Sequence, residues 1–226
     1  MRKLFSLTAV AALGALLAVN PVHAQGLEIG AEAGLNLSDL SVDGPDTEDV
    51  LDSATGIRFG GILRVNTGSV FGFQTGLSYS QKGAEFSQDA LPADAEADVA
   101  IDYLEVPVLL NLNIPTGPAP VQPRVYAGGN ISFELACDVN TAQEGVSGSV
   151  ECASDAADDF LGAETKGTDF SLLFGGGLGF PAGPGAFNVD VRYDLGLTDI
   201  FDDAADEVEL KNRNFQAVAG YSVSIP

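Results

Sequence analysis

Eight stretches of this chain alternate, residue by residue, between apolar and polar side chains. A period of two belongs to strands rather than to helices. The stretch from Asp102 to Pro115 (DYLEVPVLLNLNIP) carries the pattern most fully. Leu104, Val106, Val108, Leu110, Leu112 and Ile114 take one face, while Tyr103, Glu105, Pro107, Leu109, Asn111 and Asn113 take the other. An apolar run of this length also suits a core helix, but a face holding a carboxylate and two amides opposite a purely aliphatic one decides for strand.

The same reading predicts strands over residues 26–37, 55–65, 70–82, 102–115, 121–135, 168–180, 187–197 and 212–225. In each, small or charged residues share one parity and large apolar residues the other. The connections alternate in length. Short turns, rich in Pro, Gly and Asn, follow the second, fourth and sixth strands (residues 66–69, 115–120 and 181–185). Long acidic connections, over residues 38–54, 83–100, 136–167 and 198–211, follow the first, third, fifth and seventh. That layout predicts an all-β chain, an eight-stranded antiparallel up-and-down transmembrane β-barrel with short periplasmic turns and long acidic extracellular loops.

The first residues, MRKLFSLTAVAALGALLAVNPVHA, combine a basic start, an apolar centre and a small-residue cleavage signal. They are read as a secretory signal peptide over residues 1–24, leaving residues 25–226 as one barrel domain. Without the leader, eight basic residues face 32 acidic ones, a net charge of −24, which removes nucleic acid as a partner. An exported chain permits oxidation, so Cys137 and Cys152 are expected to form a disulfide.

Charge placement separates a membrane barrel from a soluble, lipocalin-like carrier. Of the 32 acidic residues, 24 fall in the long connections. The polar parity of the strands is otherwise Gly, Ser and Asn with Arg and Glu interspersed, which suits a narrow interior better than a water-facing surface. The apolar parity then faces outer-membrane lipid. Phe71, Phe73, Tyr79, Tyr103, Phe187, Tyr193, Phe215 and Tyr221 lie towards strand ends, where aromatic girdles belong.

Several segments are also familiar in order and spacing: GAEAGLNLSDL, GFQTGLSYSQKGAEF, IDYLEVPVLLNLNIP, PRVYAGGNISFEL, DFSLLFGGGLGF and NRNFQAVAGYSVSIP. Together they resemble the outer-membrane β-barrel domain family described as PorT-like or porin-like, with Tyr103-Leu104-Glu105-Val106-Pro107 the most specific piece. The resemblance implies a bacterial outer-membrane location and the barrel fold, and handling by the barrel-insertion machinery. One departure concerns the end: such barrels commonly close on an aromatic residue, whereas this chain reads Ser224-Ile225-Pro226.

The chemistry is sparse. The single histidine, His23, lies in the expected leader, so Ser-His and Cys-His nucleophilic sites and His-based zinc sites are unavailable, and no enzyme is expected. Gly175-Gly176-Gly177 lacks the Lys-Ser/Thr ending of a phosphate loop. The polar parity places Glu28, Glu32, Arg58, Arg64, Glu105, Arg124, Glu134, Asp190, Arg192 and Asp194 in the lumen, where they are expected to pair as an internal network. No cofactor is expected beyond weak Ca²⁺ or Mg²⁺ at the acidic loops, with Asp202, Asp203, Asp206 and Glu207 the candidate ligands. The expectation is a monomeric, non-enzymatic barrel with a plugged lumen and an envelope-structural or surface-interaction role. A narrow porin-like channel and a soluble carrier stand as alternatives.

Overall fold

The computed structural model describes residues 26–43, 51–68, 70–86, 95–117, 119–143, 146–152, 167–198 and 209–225. The expected leader (residues 1–24), the centres of the long connections and Pro226 lie outside them. The strands are β1 (Leu27–Asp43), β2 (Leu51–Asn66), β3 (Phe71–Phe86), β4 (Ala95–Asn113), β5 (Gln122–Gln143), β6 (Val146–Glu151), β7 (Thr168–Ala182), β8 (Gly185–Gly196) and β9 (Glu209–Ile225). All neighbouring pairs are antiparallel, and the sheet closes where β4 pairs with β5 and β1 with β9. Eight strands make the barrel. The short β6 is a ninth, hydrogen-bonded to β5 from Asp138 to Gln143, beyond the segment of β5 that pairs with β7.

Closure follows from the pattern. A sheet whose outer face is apolar throughout can keep every backbone N–H and C=O satisfied in lipid only if it has no edge. The outward face carries Ile29, Leu35, Phe59, Phe73, Leu77, Val108, Leu110, Phe174, Val189 and Phe215, each about half exposed. A continuous apolar belt of this kind contradicts the soluble-carrier alternative, because a water-soluble barrel would hold these side chains inside. Cross-strand ring pairs line the belt, among them Phe59 with Tyr79, Phe174 with Tyr193, and Phe187 with Tyr221. At the short-turn rim, Gly183 sits at φ 61° in the tight turn between β7 and β8, a conformation that glycine reaches without strain. Tyr221 Oη donates to the Ala182 carbonyl beside it, 2.8 Å away.

Three expectations need correction. The segments read as long loops are shorter, because the strands run on past the belt. β1 continues to Asp43, β3 to Phe86 and β5 to Gln143, and β4 already begins at Ala95. Alternation persists there at lower hydrophobicity, and pairing with a neighbour satisfies the backbone better than an open loop does. β6 itself lies wholly within a stretch read as loop. Tyr103, assigned to the outer girdle, is fully buried on the inward face. It shares that parity with Glu105, and parity outweighs its nearness to a strand end. Nor is the interior uniformly polar: Leu109, Tyr126 and Leu173 pack together within it.

A bulge explains the change above Tyr103. Tyr103 pairs with Glu134 and Asp102 with Ala136, so Leu135 is the extra residue on β5. Beyond the bulge the parity of β5 reverses. Cys137 and Val139 turn inward against Ala84, Val99, Ile101, Tyr103 and Cys152, forming a small apolar core at the long-loop end. The disulfide expected between Cys137 and Cys152 is present there, with Cα atoms 5.3 Å apart. The Cys152 N–H also donates to the Cys137 carbonyl at 2.9 Å.

Candidate functional site

The inward face below this apolar core is a field of paired charges. Arg192 on β8 grips Glu32 on β1 with two hydrogen bonds of 2.7 and 2.6 Å. Glu32 also lies 3.4 Å from Arg58 on β2, whose other guanidinium nitrogen is 3.7 Å from Glu105 on β4. Glu105 pairs with Lys82 on β3 at 2.8 Å, and Lys82 with Asp194 on β8 at 3.0 Å. Signs alternate along the chain Arg192–Glu32–Arg58–Glu105–Lys82–Asp194, which crosses the lumen and returns to the strand it left. Gln216 and Ser78 accept further hydrogen bonds from Arg58. All six charged side chains are at least nine-tenths buried.

Two further pairs lie towards the short-turn rim. Arg124 on β5 meets both carboxylate oxygens of Asp190 on β8 through one nitrogen (2.8 and 2.6 Å) and Asn188 through another (2.7 Å). Tyr126 donates to Asp190 at 3.0 Å and accepts from Arg192 at 2.9 Å, joining this pair to the longer chain. Arg64 on β2 bonds Glu28 at 2.9 Å and Gln74 at 2.8 Å. Asn66 donates to the other Glu28 oxygen at 2.9 Å. A cavity of about 230 Å³ opens at this rim, lined in part by Glu28, Arg64, Arg124 and Asn188.

Glycine makes room for this arrangement at one point. A Cβ on Gly177 of β7 would stand 2.2 Å from an Asp190 carboxylate oxygen, so the absent side chain is the space the carboxylate occupies.

Of the ten charged residues singled out from parity, nine meet in these pairs. The tenth, Glu134, is half-buried near the top of β5, where its backbone N–H donates to the Gly167 carbonyl at 3.1 Å. Lys82 was not among the ten, although it shares the parity of Gln74, Ser78 and Ser80. The alternation already puts it on the inward parity at the end of the third expected strand; its pairing is what the structure adds. Asp169, on the polar parity of the sixth expected strand and also outside the ten, receives hydrogen bonds from Asn212 at 2.9 Å and from Thr198. Asp202, Asp203, Asp206 and Glu207 lie outside the described residues. Among the described residues, no group of three or more His, Cys, Asp or Glu side chains is placed to hold a metal ion.

With five cations and five carboxylates paired inside, and an apolar belt outside, the comparison with known proteins is direct. The family model described as the outer membrane protein beta-barrel domain matches residues 23–202. The chain belongs to that family. This outer membrane barrel accordingly lies in the lipid bilayer of the bacterial outer membrane. Among solved structures it is similar to surface protein A of Neisseria (13% identity, 88% of this chain and 97% of that one, TM-score 0.48). It is also similar to OprG of Pseudomonas aeruginosa (14% identity, 88% and 97%, TM-score 0.47). The attachment invasion locus protein of Yersinia pestis aligns at 19% identity over 87% of this chain and 98% of that one, with a TM-score of 0.42. No curated protein matches the chain.

Proposed function

We propose that this outer membrane barrel is a non-enzymatic envelope protein, closed along its lumen by its own charges, with a structural or surface-interaction role. What carries the reading is the chain from Arg192 through Glu32, Arg58, Glu105 and Lys82 to Asp194, which takes side chains from β8, β1, β2, β4 and β3 across the interior. An eight-stranded barrel is only wide enough for side chains to fill it. The five cations and five carboxylates of the ion pairs described balance one another. Breaking any one pair exposes a buried charge, at a cost of about 3–5 kcal/mol. The absence of enzymatic activity rests on the histidine count: His23 stands alone in the sequence and precedes the barrel.

Recording single channels in planar bilayers tests the closed lumen. The expected trace is flat apart from rare, brief events, and steady openings of nanosiemens size would overturn the reading. A narrow channel is the second reading, favoured by Asn111 and Asn214. Both amide atoms of each are buried and find no protein partner among the described residues. Such groups call for water, and a hydrated thread along the lumen would pass small ions. A small, steady conductance abolished by Asn111→Leu would favour it.

A further inference from the structure

The short-turn rim, which in such barrels faces the periplasm, is nearly bare of charge. Its turns, over residues 66–69, 115–120 and 181–185, contain no ionisable side chain. Among the described residues, the ionisable side chains lining the cavity of about 230 Å³ that opens there are Glu28, Arg64 and Arg124. Both arginines are more than nine-tenths buried.

Their hydrogen bonds are incomplete. Arg64 donates through Nη1 to Glu28 and through Nε to Gln74, while Arg124 donates through Nη1 to Asn188 and through Nη2 to Asp190. Each keeps one buried nitrogen, Arg64 Nη2 and Arg124 Nε, for which the protein supplies no acceptor. Gln74 adds another, since its oxygen accepts from Arg64 and its own Nε2 has no partner. Glu28 is already engaged at both oxygens, by Asn66 at one and by Arg64 and Ser222 at the other. Three buried donors at this corner of the lumen therefore lack an acceptor, a costly condition for groups withdrawn from water.

We propose that the rim cavity binds a small monocarboxylate with a hydroxylated body, its carboxylate accepting hydrogen bonds from Arg64 and Arg124. An ionised carboxylate only accepts, whereas every water that satisfies a donor brings two donors of its own. A guanidinium also presents its N–H groups as a planar fork matched to two carboxylate oxygens. Glu28 and Asp190 already balance the two arginines, so the site takes one further negative charge by sharing the guanidiniums and repels a second. At the mouth, the amides of Asn113 and Gln122 and the hydroxyl of Ser224 suit hydroxyl groups on the rest of the ligand. The cavity lies on the rim side of the charge chain, so binding requires neither a closed lumen nor a conducting one, and channel recordings do not bear on it.

The test is a titration of the isotope-labelled full barrel in amine-oxide micelles, following the arginine Nε–H resonances by NMR. Sodium gluconate is expected to shift those of Arg64 and Arg124 saturably in the millimolar range and to leave Arg58, in the charge chain, unmoved. Glucose, sodium chloride at matched concentration and the inorganic phosphate dianion should give no saturable shift. Arg64→Gln, read at Arg124, should weaken gluconate binding about tenfold or more, the scale of one lost charge-assisted hydrogen bond. Because that change also strands Glu28, Ser224→Leu serves as a second variant: it crowds the mouth, spares both guanidiniums and their partners, and should weaken binding several-fold. Both variants are first checked for the heat-modifiable gel shift of a folded barrel. No saturable shift with gluconate, which would leave water as the occupant, would overturn the proposal. So would an equal response to glucose, chloride or phosphate, or unchanged affinity in either folded variant.

Discussion

Arg192 and Asp194, two residues apart on the inward face of β8, hold opposite ends of one chain of alternating charges that reaches through β1, β2, β4 and β3 before returning. The chain ties five of the eight barrel strands together by side chains, in addition to their backbone ladders. Glu105 and Glu32 are its shared nodes, each placed between two cations, and Lys82 is placed between two carboxylates. Removing a node is therefore expected to matter more than removing an apolar residue of equal size from the belt.

Glu105→Leu leaves Lys82 and Arg58 each short of a carboxylate. A loss of about 3–5 kcal/mol is expected in equilibrium urea unfolding in detergent. Val108→Leu, on the opposite face three residues along, should change stability by less than about 1.5 kcal/mol. If the two variants unfold alike, the assignment of inside and outside fails.

Val108→Arg tests the outer face from the other direction. Placing a guanidinium against lipid near the middle of the belt should cost about 2–4 kcal/mol in the same assay, against near-neutral behaviour for the leucine variant. A tolerated arginine would mean that this face is wet.

Lys82→Met leaves Asp194 without its cation and Glu105 with only the longer contact to Arg58, while Lys82→Met with Glu105→Leu strands only Asp194 and loosens Arg58. The double variant should thus be less destabilised than the sum of its parts, by about 1–3 kcal/mol of coupling energy. Strict additivity would mean that Lys82 and Glu105 do not share a pair.

Gly177→Val should displace the Asp190 carboxylate from Arg124, since a Cβ there would fall 2.2 Å from Asp190 Oδ1. Gly61→Ala, on the outer face, meets only the Gly30 carbonyl at 3.7 Å. The first is expected to lower the temperature at which the compact gel band is lost and the second to leave it unchanged.

Cys137→Ser with Cys152→Ser removes a cross-link over 15 residues, worth about 3 kcal/mol on the chain-entropy account. The loss should stay local, because the apolar core around Tyr103 lies above the belt and the charge chain below. Hydrogen exchange ought to quicken in β6 and the upper ends of β4 and β5, with the belt segments unaffected. Equal acceleration throughout would show that the disulfide supports the whole barrel.

The period of two along each strand determined the barrel, its inside and its outside from the sequence alone. The residues that settle that question, such as Glu105 against Leu104 and Val106, are adjacent in the chain, and strand geometry sends neighbours to opposite faces without help from the rest of the protein. Parity likewise selected most of the interior charges. It could not say which cation meets which carboxylate, because Arg192 and Glu32 are joined only by the closure of β1 on β9 and β9 on β8. Lys82 is a related case: the alternation puts it on the inward parity at the end of the third expected strand, but its carboxylate partners Glu105 and Asp194 come from β4 and β8 and are met only once the barrel closes. Tertiary structure alone decided the bulge at Leu135 as well. One extra residue on β5 turns Cys137 and Val139 inward and replaces charge by an apolar core, and an insertion of that kind leaves no mark in the alternation until its partner strand is in register.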